Sequence, residues 1–217
     1  SQVFKHILKV GFPVAIQDGC VQIAFMIITI IANSRGLNDA AAVGIVEKMV
    51  TAIFIIPSTM LATVSALSAQ NIGAKNYGRA RTVLKYAVMI TTLYGIIVTL
   101  IVECAAPTLL GLFTKDTTVI LLGVQYISSY IIDTIFAGIH FGFSGYFAAD
   151  GKSYIGFIHN IISISLVRVP GSYIASIMYP HNLFPMGLAA PLGSLLSVII
   201  CLIAYCILKK KDELSVL

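Results

Sequence analysis

Charge is what this sequence has least of. Only 11% of its 217 residues are charged, less than half the ~25% usual in a soluble domain. Hydrophobic residues make up 58%, and mean hydropathy is +0.95. A water-soluble globule needs far more polar surface, so a soluble enzyme, a nucleic-acid-binding module and a disordered segment are all excluded. Long polar loops are missing too, which leaves no room for a soluble domain. Four cysteines occur, Cys20, Cys104, Cys201 and Cys206. None forms a CxxC or other metal-ligand spacing, so they read as small buried hydrophobes. No P-loop is present to drive transport by ATP, and there is no HExxH or glycine-flanked intramembrane-protease motif. The four histidines share no i,i+4 spacing. No metal, cofactor or catalytic group is expected, and the chain reads as a non-enzyme.

Six apolar stretches are present instead, at about 10–33, 41–69, 82–112, 119–147, 154–179 and 187–208. Each is long enough to cross a bilayer as a helix, which takes about 20 residues. A membrane barrel would alternate in polarity, and runs such as Met26–Ala32 do not. The expected fold is therefore all-α and integral to the membrane, one six-span unit over residues 1–217. Ten Lys and Arg residues fall at one end, in 5–9, 75–85, 152 and 209–211. Only Arg35 and Lys115 fall at the other, while Lys48 and Arg168 lie within spans. That bias places both termini in the cytoplasm and loops 34–40, 113–118 and 180–186 outside. The basic residues are topology signals; no nucleic-acid patch is expected.

Polar residues recur inside the spans at helical spacing. Span 1 carries Gln17, Asp18, Gln22, Thr29 and Asn33. Span 2 carries Glu47, Thr51, Ser58 and Ser65. Span 4 carries Tyr126, Ser129, Asp133, His140 and Ser144. Span 5 carries His159, Asn160, Ser163, Ser165, Arg168 and Ser172. Hydroxyls of this kind serve close helix packing. Several stripes that include carboxylates point further, to a central aqueous cavity. Pro13, Pro57, Pro107, Pro170 and Pro191 lie in or at spans and are expected to kink them. Kinked spans around a polar midplane are the usual material of alternating-access transporters. Asp133 and Arg168 sit nearest mid-span, where a charge is most costly. Two readings stay open for Asp133: a structural pair with Arg168, or a carboxylate free to bind a cation or proton.

A set of ordered motifs adds to this. Gly11-Phe12-Pro13 opens span 1. Gln70-Asn71-Ile72-Gly73-Ala74 closes span 2. Gly111-Leu112-Phe113-Thr114-Lys115-Asp116 follows span 3. GYFAADGKS, from Gly145 to Ser153, ends span 4, and Arg168-Val169-Pro170 sits within span 5. In this order the chain resembles the C-terminal lobe of a multidrug and toxic compound extrusion (MATE) transporter. The resemblance implies one lobe of a two-lobe, pseudo-symmetric 12-helix protein in the plasma (inner) membrane, with a preceding N-terminal lobe as partner. It implies an antiporter that expels amphipathic or cationic small molecules against Na⁺ or H⁺. Some branches carry a Glu eight residues after the first-span proline, where this chain has Val21. An Arg-Gly pair common at the end of span 4 reads Ala148-Ala149 here. The coupling candidates are Asp133, Asp18, Gln22, Glu47, Arg168 and His140, and the gating candidates Pro13, Pro57 and Pro170. A lipid-linked saccharide flippase of a related superfamily is the alternative, and it would need a cationic cavity.

Overall fold

The computed structural model describes the backbone of residues 2–214, and their side chains except at 1–10, 13, 14, 18 and 210–214. Its helices are α1 (Gln2–Arg35), α2 (Leu37–Ile53), α3 (Ile55–Gly73), α4 (Tyr77–Gly111), α5 (Thr117–Tyr130), α6 (Asp133–Ala149), α7 (Ser153–Ser163), α8 (Val169–Met178) and α9 (Phe184–Leu214). A π-helical turn, Ile164–Arg168, joins α7 to α8. Among the described residues there is no strand. Five stretches are long and apolar enough to cross a membrane. A sixth span is the α5–α6 pair, bent by 42°. Three of the six spans are thus interrupted: α2–α3 at Phe54, α5–α6 at Ile131–Ile132, and α7–α8 by the π-turn.

Each interruption has a local cause and a local remedy. Pro57 has no N–H and its ring crowds the carbonyl four residues back. That carbonyl, on Ile53, accepts instead from the Tyr94 hydroxyl of α4 at 2.9 Å. At the second break Ile131 O accepts from Thr134 N at 3.0 Å and from Thr99 Oγ1 at 3.4 Å. In lipid an orphaned backbone group has no water to turn to, so such breaks need neighbouring side chains. Pro170 is the second residue of α8, directly after the π-turn, whose wider ring makes room for it. By contrast α4 and α9 run uninterrupted through Pro107 and Pro191. Pro13 likewise lies within the continuous α1 backbone, and its ring is outside the described side chains.

The motifs at the basic end are helix stops. Asn76 N bonds to Asn71 O at 2.8 Å and Lys75 N to Ile72 O at 2.9 Å. This is a Schellman cap with Lys75 in the left-handed conformation, φ 57°. The same pattern ends α6: Lys152 N to Phe147 O at 2.8 Å, Gly151 N to Ala148 O at 3.1 Å, and Gly151 at φ 71°. Asn76 then caps α4 by accepting from Arg79 N.

Packing is layered along the helix axes. One apolar cluster gathers Ile28, Val46, Val102, Leu110, Ile127 and Met186 near one end. A second gathers Val64, Leu84, Phe143, Phe147 and Cys201 toward the other. Between them α6 contributes Asp133 and His140, α7 contributes His159, and α9 contributes Ser194 and Ser197, all buried. Small residues let the helices close on this polar belt. A Cβ at Gly138 would lie 2.6 Å from Thr91 Cβ, and one at Gly95 would lie 2.8 Å from Ile135 Cα. A Cβ at Gly193 would reach Ser163 Oγ at 2.8 Å. The lipid-type face of α4, by contrast, exposes Met89, Leu93, Leu100 and Ile101.

Candidate functional site

Two polar assemblies share the middle of the lobe, and the aromatic ring of Phe25 stands between them. The first is buried. Arg168 leaves the π-turn and donates from Nη2 to Asp133 Oδ2 at 2.6 Å and to the Tyr130 hydroxyl at 3.1 Å. Its guanidinium also lies over the Phe25 and Tyr130 rings, 5.7 and 5.8 Å from their centroids. Asp133 is fully buried, and the Arg168 side chain is 12% exposed. The ion pair is therefore the arrangement Asp133 adopts, one of the two left open by the sequence. Ser194 lies beside the Asp133 carboxylate, and Arg168 Nε is buried without a hydrogen-bond partner among the described residues.

Next to it in the belt lies a histidine pair. The rings of His140 and His159 meet edge-on at 5.5 Å. His159 Nε2 is 2.9 Å from Ser144 Oγ, while both Nδ1 atoms lack a partner. Here the structure corrects the sequence-based picture of one central cavity lined by all four stripes. Most of the stripes of spans 4 and 5 face each other inside the lobe: Ser129, Asp133, His140, Ser144, His159, Asn160 and Ser172 are all buried, while Ser165 is exposed. Glycines on α7 and α9 bring these helices too close for a water-filled gap. Gly156 packs on Gln17 and Ser144, and Gly187 packs on Ser129.

The second assembly is a cavity of about 760 Å³ between α1, α2, α3 and α6. Its walls combine the rings of Phe25, Phe54 and Phe141 with Gln22, Glu47 and Lys48. Glu47 Oε2 accepts from Thr29 Oγ1 at 3.0 Å, and Glu47 Oε1 is buried without a partner. Lys48 is exposed on the cavity wall and forms no ion pair among the described residues, because neighbouring side chains diverge on a helix. Thr51 and Ser58 line the same space. Gln17 and Gln22 of span 1 and Glu47, Thr51 and Ser58 of span 2 thus face this cavity, and the polar residues of the span 4 and 5 stripes do not line it. Asp18 lies on α1, but its side chain is outside the described residues.

Sequence reasoning found the charged members and missed the aromatic ones. Tyr130 is three residues before Asp133 and therefore on its face, a readable signal. Phe25, Phe54 and Phe141 carry none, because in an apolar span a phenylalanine facing a cavity looks like one facing lipid. Among the described residues no cluster of three or more His, Cys, Asp or Glu side chains suits a metal ion.

Broken apolar spans packed around a buried ion pair, with an aromatic-lined cavity on one flank, define a multi-pass membrane protein. The chain belongs to the MatE family, whose model matches residues 13–174. It is 19% identical over 219 residues to the probable multidrug resistance protein YoeA of Bacillus subtilis (strain 168), covering 99% of this chain and 46% of that protein. Its fold is that of solved MATE structures. A mutant of the Vibrio cholerae MATE transporter VcmN aligns with a TM-score of 0.90 at 17% identity, over 97% of this chain and 48% of that one. A MOP superfamily transporter from Pyrococcus furiosus aligns at 0.84 and 16% identity, over 96% and 45%. The chain spans about half the length of the relatives it matches.

Proposed function

We propose that this chain is one lobe of a cation-coupled antiporter that exports amphipathic organic cations, working with a second, preceding six-helix lobe in the plasma membrane. One observation carries the reading: the cavity joins three phenylalanine rings to a carboxylate that forms no ion pair among the described residues. Aromatic faces attract organic cations, by about 0.5–2 kcal/mol each depending on desolvation, and the carboxylate supplies the matching charge. A flippase for anionic headgroups would need a cationic wall. Here Arg168 is turned away to Asp133, and Lys48 is the only described basic residue on the cavity.

In this reading Gln22 and Glu47 contact the substrate. Asp133 and Arg168 form a charge-balanced strut between spans 4 and 5, and His140 supports it from the belt. The breaks beside Pro57 and Pro170 are the points at which spans flex as the cavity changes its access. Pro13 would act similarly at the entrance of α1. The basic end, with Lys75, Arg79, Arg81 and Lys85, faces the cytoplasm. The test is transport of a fluorescent cation by both lobes together in liposomes, under separate Na⁺ and H⁺ gradients. Export driven by one of the two is expected, and export indifferent to both would refute the reading.

A further inference from the structure

The charges buried in this lobe do not balance, and the imbalance sits on one residue. Among the described residues Arg35 is paired with Asp39, and Arg168 is committed to Asp133, each at 2.6 Å. The Glu47 carboxylate is left, among the described residues, with a neutral hydroxyl as its hydrogen-bond partner. A lone ionised carboxylate at this depth is costly, so it calls for a neutralising partner that comes and goes.

The hydrogen count at Thr29 is the second observation. Thr29 Oγ1 is 2.9 Å from the Phe25 carbonyl oxygen and 3.0 Å from Glu47 Oε2. A hydroxyl has one hydrogen and cannot donate to both. If Glu47 is protonated, every contact is used: Glu47 donates to Thr29, and Thr29 donates to Phe25. The oxygen without a partner, Oε1, is then a neutral carbonyl, the cheaper group to leave unpaired. If Glu47 is ionised, Thr29 turns its hydrogen onto the carboxylate. The Phe25 carbonyl loses only a supplementary bond, because it is a helix acceptor already. Thr29 therefore serves both states with the same heavy-atom geometry.

We propose that Glu47 is the exchange carboxylate of this lobe, carrying a proton in one half of the cycle and facing the cationic group of the substrate in the other. The proposal rests on the antiport reading above and names the residue and the coupling ion for it. The proton comes from water in the cavity onto Glu47 Oε2 and returns there when the substrate cation arrives, so each neutralising charge excludes the other. The groups around Glu47 are consistent with an exchangeable site. Lys48 on its own helix is exposed and forms no ion pair among the described residues; Tyr126 and Tyr130 approach from α5; Arg168 approaches from the π-turn but is held by Asp133. From α1 the described neighbours, Gln17, Gln22 and Thr29, are neutral.

Infrared difference spectroscopy tests this on the full-length protein in lipid nanodiscs. A protonated carboxyl band should disappear when tetraphenylphosphonium is added. E47Q, isosteric with the protonated acid, should lack the band. T29V should keep it but shift it to higher frequency, because the acid has lost its acceptor. T29V also serves if E47Q fails to assemble. A band that persists in E47Q overturns the assignment, as does one that ignores the cation. Sodium-dependent carboxylate changes without any acid band overturn the choice of proton. Export by E47Q with unchanged dependence on the proton gradient sinks the exchange site and leaves antiport standing. Absence of gradient-driven export by the wild type, with the Glu47 band still responding to the cation, does the reverse.

Discussion

Replacing Asp133 by Asn keeps the size of the side chain and removes half of the buried ion pair. Breaking such a pair costs about 3–5 kcal/mol, because the remaining charge stays buried. Two features of the site soften the loss for Arg168. It keeps the Tyr130 hydroxyl at 3.1 Å and two aromatic faces within 6 Å, and the Asn carbonyl still accepts one hydrogen bond. The expected cost of Asp133→Asn is therefore about 3 kcal/mol, the lower end of that range. Arg168→Gln should cost a similar amount, about 3 kcal/mol. It strands a fully buried carboxylate, which must then stay charged or take up a proton. The double variant leaves two neutral amides and should be more stable than Arg168→Gln alone, with a coupling of at least about 2 kcal/mol between the sites. That is roughly a thirtyfold effect on the unfolding equilibrium, well within reach of denaturant titrations in mixed micelles. If both single variants cost under about 1 kcal/mol and add without coupling, Asp133 and Arg168 are not a structural pair. The charge inventory that isolates Glu47 then fails with them.

Three further outcomes follow from the same geometry. Tyr94→Phe should cost about 1–2 kcal/mol by orphaning the Ile53 carbonyl, and much less in a Pro57→Ala background, where a restored N–H reaches that carbonyl; melting curves of the four proteins decide it. Gly138→Ala should lower stability by about 1–3 kcal/mol through its clash with Thr91, whereas Gly19→Ala, with open space around it, should leave melting unchanged. Cysteines placed at Asn38 and Asn182 should react with an impermeant reagent on intact cells, while one replacing Lys75 should not; the reverse pattern would invert the proposed topology.

Much of this protein was legible before any folding, and for a physical reason. Lipid forces a spanning chain to close its own backbone hydrogen bonds, so long apolar runs can only be helices. Chain-local rules then marked six long apolar runs and flagged Pro57 and Pro170 as weak points, along with Pro107 and Pro191, which the helices run straight through. The QNIGA and ADGKS motifs are local as well: each stops a helix with a residue in the left-handed conformation. What the sequence left open was rotation. Inside a membrane both faces of a span are apolar, so hydropathy does not say which face meets a neighbour. Contacts between distant residues settle it: Gly138 against Thr91, Gly193 against Ser163, Gly187 against Ser129. Those close approaches turned the stripes of spans 4 and 5 inward and bound Asp133 to Arg168, 35 residues away. They also left Glu47 facing a cavity, with Thr29 as its side-chain hydrogen-bond partner among the described residues. The presence of acids in the spans belongs to the sequence; which of them is neutralised from within was decided by packing alone.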